Sequence, residues 1–311
     1  HSGSTLWNDK NGKSAEVTVN GEKVLSLPST ATSLSLTQFV NAVIAGNGTY
    51  DGEGVTVEWS PVSGCRKENC DCGLATAVTE TPMRVNSNLA QYQLFSSLAK
   101  LNISNVNFKF TPADFTIDAN SGWRGSYTAE NVRSAELHLY NTDDVMFTDC
   151  TFDAVVLTPW KISNDVNEGR TVKVTECTFE NIYNAYAIKD IQASNIVIQN
   201  NTFVECGGGI MLSNATAGTV SVSNNTFTNV DAASSAAEGK AGIRGLIMIA
   251  SNYTVVDTSN ISVTGNTSTG GASMFRLVGS TVEQIEYSGN TIDGTVSTGN
   301  SAVTLAVQVG N

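Results

Sequence analysis

The sequence predicts an all-β solenoid of stacked coils, and three observations carry that prediction. The first is a repeated phrase: a polar residue or glycine, then Cys or Asn, then Thr, then usually Phe. Its copies are Asp149-Cys150-Thr151-Phe152, Glu176-Cys177-Thr178-Phe179, Asn200-Asn201-Thr202-Phe203, Asn224-Asn225-Thr226-Phe227, Gly265-Asn266-Thr267-Ser268 and Gly289-Asn290-Thr291-Ile292. The second is spacing, since successive Thr residues of the phrase lie 27, 24, 24, 41 and 24 positions apart. A unit of about 24 residues cannot bury its apolar face alone and needs a stacked neighbour. The third is alternation, the period of a half-buried strand. In one coil Val172, Val174 and Phe179 are expected to face in, and Lys173, Thr175 and Thr178 out.

Composition agrees. Charged residues make up only 15% of the 311 residues, Pro is scarce at 5, and Thr, Ser, Asn, Gly and Val are abundant. That balance suits short strands and tight turns. The net charge of −12 argues against nucleic acid, heparin-like chains and anionic membranes as partners, because each is bound through Lys and Arg. An anionic polysaccharide would need a bridging cation such as Ca2+. No apolar run is long enough to span a bilayer. The start at His1-Ser2-Gly3-Ser4 reads as a processed or trimmed end. Composition and fold together favour a secreted or cell-surface monomer.

The coils can be laid over one another. Ala135–Tyr140 with Val145–Phe147 aligns with Val155–Leu157 and Val172–Val174. Next come Ala187-Ile188 with Ile196–Ile198, and Ile210–Leu212 with Val220–Val222. After a break, Leu246–Met248 pairs with Ile261–Val263 and Phe275–Leu277 with Ile285–Tyr287. An upstream coil is expected from Tyr92–Phe95 with Val106–Phe110. Parallel stacking at about 4.8 Å per coil makes a rod roughly 35–40 Å long over eight coils. Upstream, Ser35-Leu36-Thr37-Gln38 is a capping box. Leu36, Phe39, Val40, Val43 and Ile44 would form one apolar helix face, and Gly46 the stop. Such a helix would cover the open strand edge at the end of the rod.

With the capping helix, the Asn47-Gly48-Thr49-Tyr50 step and these coils in place, the chain resembles right-handed parallel β-helices of the pectin-lyase-like type. The resemblance covers roughly residues 33–311, with residues 1–32 leading into a cap at about 35–45 and loop insertions at about 111–134 and 228–245. It implies a corner ladder of inward Asn side chains, for which Asn201, Asn225, Asn266 and Asn290 hold the matching slot. A leucine-rich repeat shares the period but wants Leu where this chain carries Val, Ile and Phe.

Cys150 and Cys177 occupy the slot that becomes Asn in later coils and should lie one above the other. Two readings stay open: buried thiols filling the core, or a disulfide across neighbouring coils. Cys206 reads as a small buried filler. Cys65, Cys70 and Cys72 share a polar loop. Zinc there lacks a fourth ligand, so a loop disulfide of Cys65 with Cys70 or Cys72 is favoured.

The resemblance brings polysaccharide lyases and glycoside hydrolases into view. Asn141-Thr142-Asp143 resembles an element of polygalacturonases, but their Gly-His-Gly and Arg-Ile-Lys elements are missing, and the two histidines are His1 and His138. In the coil alignment this segment falls in a turn, which explains Asn and Asp without catalysis. A lyase needs a base beside a uronate carboxylate, with Ca2+ as neutralising ion. Outward-facing candidates are Lys161, Lys189 and Arg276, with Asp143, Asp144, Asp165 and Asp190 as Ca2+ carboxylates. Lys189, Asp190 and Arg276 form the catalytic set if the chain is an enzyme. For binding, Trp123, Arg124 and Tyr127 sit in the first insertion and Trp160 follows a coil strand at Pro159. Aromatic rings of this kind stack on sugars, and long loops on rigid scaffolds carry function. With no catalytic constellation assembled, the expectation is a non-catalytic, adhesin-like module of a bacterial surface. It would bind a glycan or surface polymer without cofactor or metal. An enzyme on acidic polysaccharide and a structural spacer are the alternatives.

Overall fold

The computed structural model describes residues 15–19, 22–27, 32–59, 84–86, 89–95, 98–112, 133–139, 142–160, 169–183, 185–214, 218–231, 245–250, 261–270, 275–278, 285–292, 297–298 and 307–310. The chain winds as three-sided coils whose sides stack into three parallel ladders. The first ladder runs through Asp144–Thr148, Thr171–Thr175, Asn195–Gln199, Val220–Ser223, Ile261–Thr264, Ile285–Ser288 and Val307–Gly310. The second holds the repeated phrase, from Thr151–Asp153 through Thr178–Glu180, Thr202–Val204, Thr226–Thr228 and Thr267–Thr269 to Thr291–Ile292. The third runs from Leu89–Leu94 through Ser134–Leu139, Val155–Thr158, Tyr186–Gln192, Gly208–Asn214, Ile247–Ala250 and Phe275–Val278 to Ser297–Thr298. The all-β parallel solenoid expected from the repeats is the architecture found. Among the described residues no helix is long and apolar enough to cross a membrane.

The phrase is a corner. Its first residue adopts left-handed backbone: φ is 52° at Asp149, 59° at Glu176, 58° at Asn200, 55° at Asn224 and 66° at Gly265 and Gly289. Asn and Gly tolerate that region best. The next residue then turns inward, Thr outward, and Phe inward again. Phe108, Phe152, Phe179, Phe203 and Phe227 stack, with successive centroids 5.0, 4.5, 5.2 and 4.7 Å apart. Beside them runs the amide ladder. The backbone N–H of Cys177 donates to Asn201 Oδ1, that of Asn201 to Asn225 Oδ1, that of Asn225 to Asn266 Oδ1 and that of Asn266 to Asn290 Oδ1, all at 2.9 Å.

Cys150 and Cys177 lie on adjacent coils between the paired residues Thr148–Thr175 and Thr151–Thr178. Both are buried free thiols, so the bonded alternative is not what the structure holds. Their Sγ atoms donate to the carbonyls of Thr148 and Thr175, at 3.3 and 3.2 Å. Cys206 is likewise a buried free thiol. Cys65, Cys70 and Cys72 lie outside the described residues.

The helix spans Leu36–Ala45, and its capping box is formed: Gln38 N donates to Ser35 Oγ at 3.2 Å and Ser35 N to Gln38 Oε1 at 2.6 Å. Phe39 closes the end of the aromatic column, edge-on to Phe108 at 5.1 Å and to Phe95 at 6.0 Å. Two expectations need correction. Ile44 is 49% exposed and lies off the buried face, which Ala42 and Ala45 complete instead. Gly46 is the stop, as expected: it caps the helix at φ −85°, and Asn47 and Gly48 beyond it carry the positive φ. Glycine is needed at 46 because a Cβ there would meet the Thr49 carbonyl oxygen at 2.2 Å.

The second correction is one of register. Val106–Phe110 does not align with Val145–Phe147; Lys100–Ser104 does, pairing Leu101 with Val145 and Ile103 with Phe147. Phe108 pairs instead with Phe152. Asn105 has φ 54°, so Asn105-Val106-Asn107-Phe108 is another copy of the corner phrase, disguised by Val and Asn in the middle slots. The expected insertions also shorten at their edges, because Ser134 opens the strand Ser134–Leu139 and Thr228 closes Thr226–Thr228. Ahead of the helix, Ala15–Val19 and Glu22–Leu27 form an antiparallel hairpin.

Candidate functional site

The outer face of the third ladder gathers charge. In Ser134–Leu139, Ala135, Leu137 and Leu139 fill the core, which leaves Glu136 and His138 facing out. The next coil places Thr158 beside His138, and the coil after that brings Lys189 over both. Lys189 Nζ lies 3.3 Å from each oxygen of Glu136 and 3.7 Å from Asp190 Oδ2. Thr158 Oγ1 donates to Glu136 Oε1 at 2.9 Å, and His138 Nδ1 lies 3.5 Å from the same oxygen. Trp160 stands edge-on to His138 with ring centroids 5.3 Å apart. Ser213 Oγ donates to Asp190 Oδ1 at 3.0 Å.

A bulge makes this possible. The pairing register with Gly208–Asn214 slips between Ile188 and Ile191, and Asp190 takes φ 52° in the slip. Two adjacent side chains, Lys189 and Asp190, therefore meet on one face. Glu136 is fully buried, yet it stays ionised. Burial alone would raise its carboxyl, but the Lys189 ammonium and the hydrogen bonds from His138 and Thr158 hold it at about 2. Burial pulls Lys189 down, and Glu136 and Asp190 together push it above its ordinary value. Near neutral pH the ammonium keeps its proton.

Arg170 fixes the corner under this face, and sequence reasoning passed over it. Its guanidinium is buried among carbonyls, with Nε donating to Asp143 O at 2.7 Å and Nη2 to Thr142 O at 2.9 Å. Nη1 donates to Pro159 O at 3.1 Å and to Gln192 O. One side chain thus ties together the chain ends that leave the strands bearing His138, Thr158 and Lys189. Burial lowers it to about 10 against the pull of Asp143 and Asp144, so it remains a cation. The only signal for it was a long cation directly before a strand, behind Gly169.

The turn reading of Asn141–Asp144 fits the geometry of its described part. Thr142 Oγ1 donates to Phe95 O at 2.9 Å, and Asp144 Oδ1 accepts from the Thr171 backbone at 2.9 Å. Of the proposed catalytic set, Lys189 and Asp190 come together. Arg276 lies in the same outward column, paired with Met248, but three strands further along, about 14 Å at one strand spacing each. Trp160 joins the cluster through His138. Trp123, Arg124, Tyr127, Lys161 and Asp165 lie outside the described residues. Among the described residues no three His, Cys, Asp or Glu side chains come together as a metal site would require.

A family model described as right handed beta helix region matches the chain over residues 94–227 and again over 137–307. No curated protein and no solved structure matches it.

Proposed function

The chain belongs to the right-handed β-helix family, and from that premise we propose that it is a non-catalytic recognition module. In this reading it is adhesin-like, displayed outside the cell, and grips a glycan or surface polymer along the outer face of the third ladder. The observation that carries the proposal is Lys189 held between Glu136 and Asp190. A base must release its proton near working pH, and this ammonium is stabilised in the charged form. A general acid must hold a proton, and Glu136 is ionised and sealed. What the face offers is a rigid set of donors and acceptors beside the half-buried ring of Trp160, the equipment of a binding surface.

One observation favours the second reading, a polysaccharide lyase or glycoside hydrolase. Two carboxylates share this face, and paired carboxylates cleave glycosidic bonds. A panel of immobilised and soluble polysaccharides separates the two, read by retention on one side and by new reducing ends or unsaturated uronate absorbance on the other, with Ca2+ and with EDTA. The recognition module retains polymer and releases no product. Turnover on any polymer overturns it and returns Lys189 and Asp190 to catalysis.

A further inference from the structure

Resting on the recognition reading, we propose the class of polymer: a neutral, hydroxyl-rich glycan, seated by a vicinal diol against the Lys189–Asp190 pair. The argument starts from charge. Two carboxylates, Glu136 and Asp190, face the one ammonium of the cluster. Lys189 is already neutralised twice over, so it holds no spare positive charge for a uronate or sulfate. The net charge of −12 adds repulsion at longer range.

Shape and hydrogen bonding point the same way. The side chains of Lys189 and Asp190 remain 21% and 28% exposed, with Nζ and Oδ2 3.7 Å apart. That is a donor and an acceptor side by side. A sugar hydroxyl both donates and accepts, so two neighbouring hydroxyls can answer the pair at once, one accepting from Nζ and the other donating to Oδ2. Both protein groups are charged, which strengthens such bonds. They are also held in place, Lys189 by Glu136 and Asp190 by Ser213. Little freedom is lost when a ligand arrives. Trp160, edge-on to His138, adds an apolar surface to the same cluster.

Affinity electrophoresis against neutral xylan, mannan and β-glucan, polygalacturonate, and an O-methylated sample of whichever neutral polymer retards the protein most tests this. Retardation by a neutral polymer, at least tenfold weaker for polygalacturonate and lost on O-methylation, is expected. Asp190→Asn removes the charged acceptor and should weaken the neutral interaction roughly tenfold. Asn suits the left-handed backbone at 190, so that variant keeps its fold, and near-ultraviolet dichroism checks it. Trp160→Ala, outside the ion network, should weaken binding independently. Equal or tighter binding of polygalacturonate overturns the inference and leaves the recognition reading standing. Unchanged affinity in Asp190→Asn, or full retention of methylated polymer, overturns it too. Failure to bind any polymer overturns the recognition reading and this inference with it.

Discussion

Ser268 occupies the slot that Phe fills in the preceding coils, paired with Phe227. It is buried, and its hydroxyl has no hydrogen-bond partner among the described residues. Desolvating an unpaired hydroxyl costs about 1–3 kcal/mol, so Ser268→Ala should leave stability equal or raise it by about 1 kcal/mol, seen as an unchanged or higher melting temperature. Glu136 works in the opposite direction. Its carboxyl sits at about 2 in the fold against an ordinary 4.5. A depressed carboxyl contributes stability above the unfolded value and loses it as pH falls through the folded one. The window therefore runs downward from about pH 4.5 to about 2, and the contribution is about 3 kcal/mol. Melting temperature should fall steeply across that window. Glu136→Gln should melt lower at neutral pH with a flatter acid limb, and an acid limb as steep as wild type would remove Glu136 as its cause. None of this was legible in Ala135-Glu136-Leu137-His138-Leu139, where Glu136 reads as an ordinary solvent-facing charge. Its partner Lys189 lies 53 residues on and arrives only through the stacking register.

At the scale of the element, the corner is the most readable feature and also the one that misled. Left-handed backbone, an inward amide and an inward ring force particular residue types, so six copies stood out. The copy at Asn105–Phe108 did not, because Val106 fills the inward slot with an apolar side chain and Asn107 faces out like any polar residue. That disguise shifted the expected register of the first coil. The helix failed in a similar way at Ile44, which reads as part of the apolar stripe but lies off the buried face that Ala42 and Ala45 complete. The amide ladder gives the sharpest prediction here. Asn225 Oδ1 accepts from the Asn201 backbone, and its Nδ2 donates to Ile198 O and Asn266 Oδ1. Asn225→Ala orphans buried groups in two directions and should cost about 2–4 kcal/mol, read from a denaturant melt. A loss within experimental error would mean that the ladder decorates a corner made by the backbone alone.

For the whole molecule, stability passes from coil to coil, since each strand pairs only with its neighbours. An open end is the weak place, and Phe39 covers one of them. Phe39→Asp should bare the last strand edge and produce concentration-dependent association in sedimentation velocity, while wild type stays at one sedimentation coefficient. Architecture was legible at this scale because repetition multiplies a weak signal. The charged face around Lys189 was not, because its residues come from three coils at positions that the repeated phrase does not mark.

The hydrogen bond from Asn201 N to Asn225 Oδ1 crosses 24 residues of chain and that from Asn225 N to Asn266 Oδ1 crosses 41, yet both close at 2.9 Å. The rungs do not register how much chain is routed between them. Segments of different length and composition can therefore be exchanged between coils while the frame is conserved. In such a chassis, what the outer faces carry and what makes the protein fold are free to change separately.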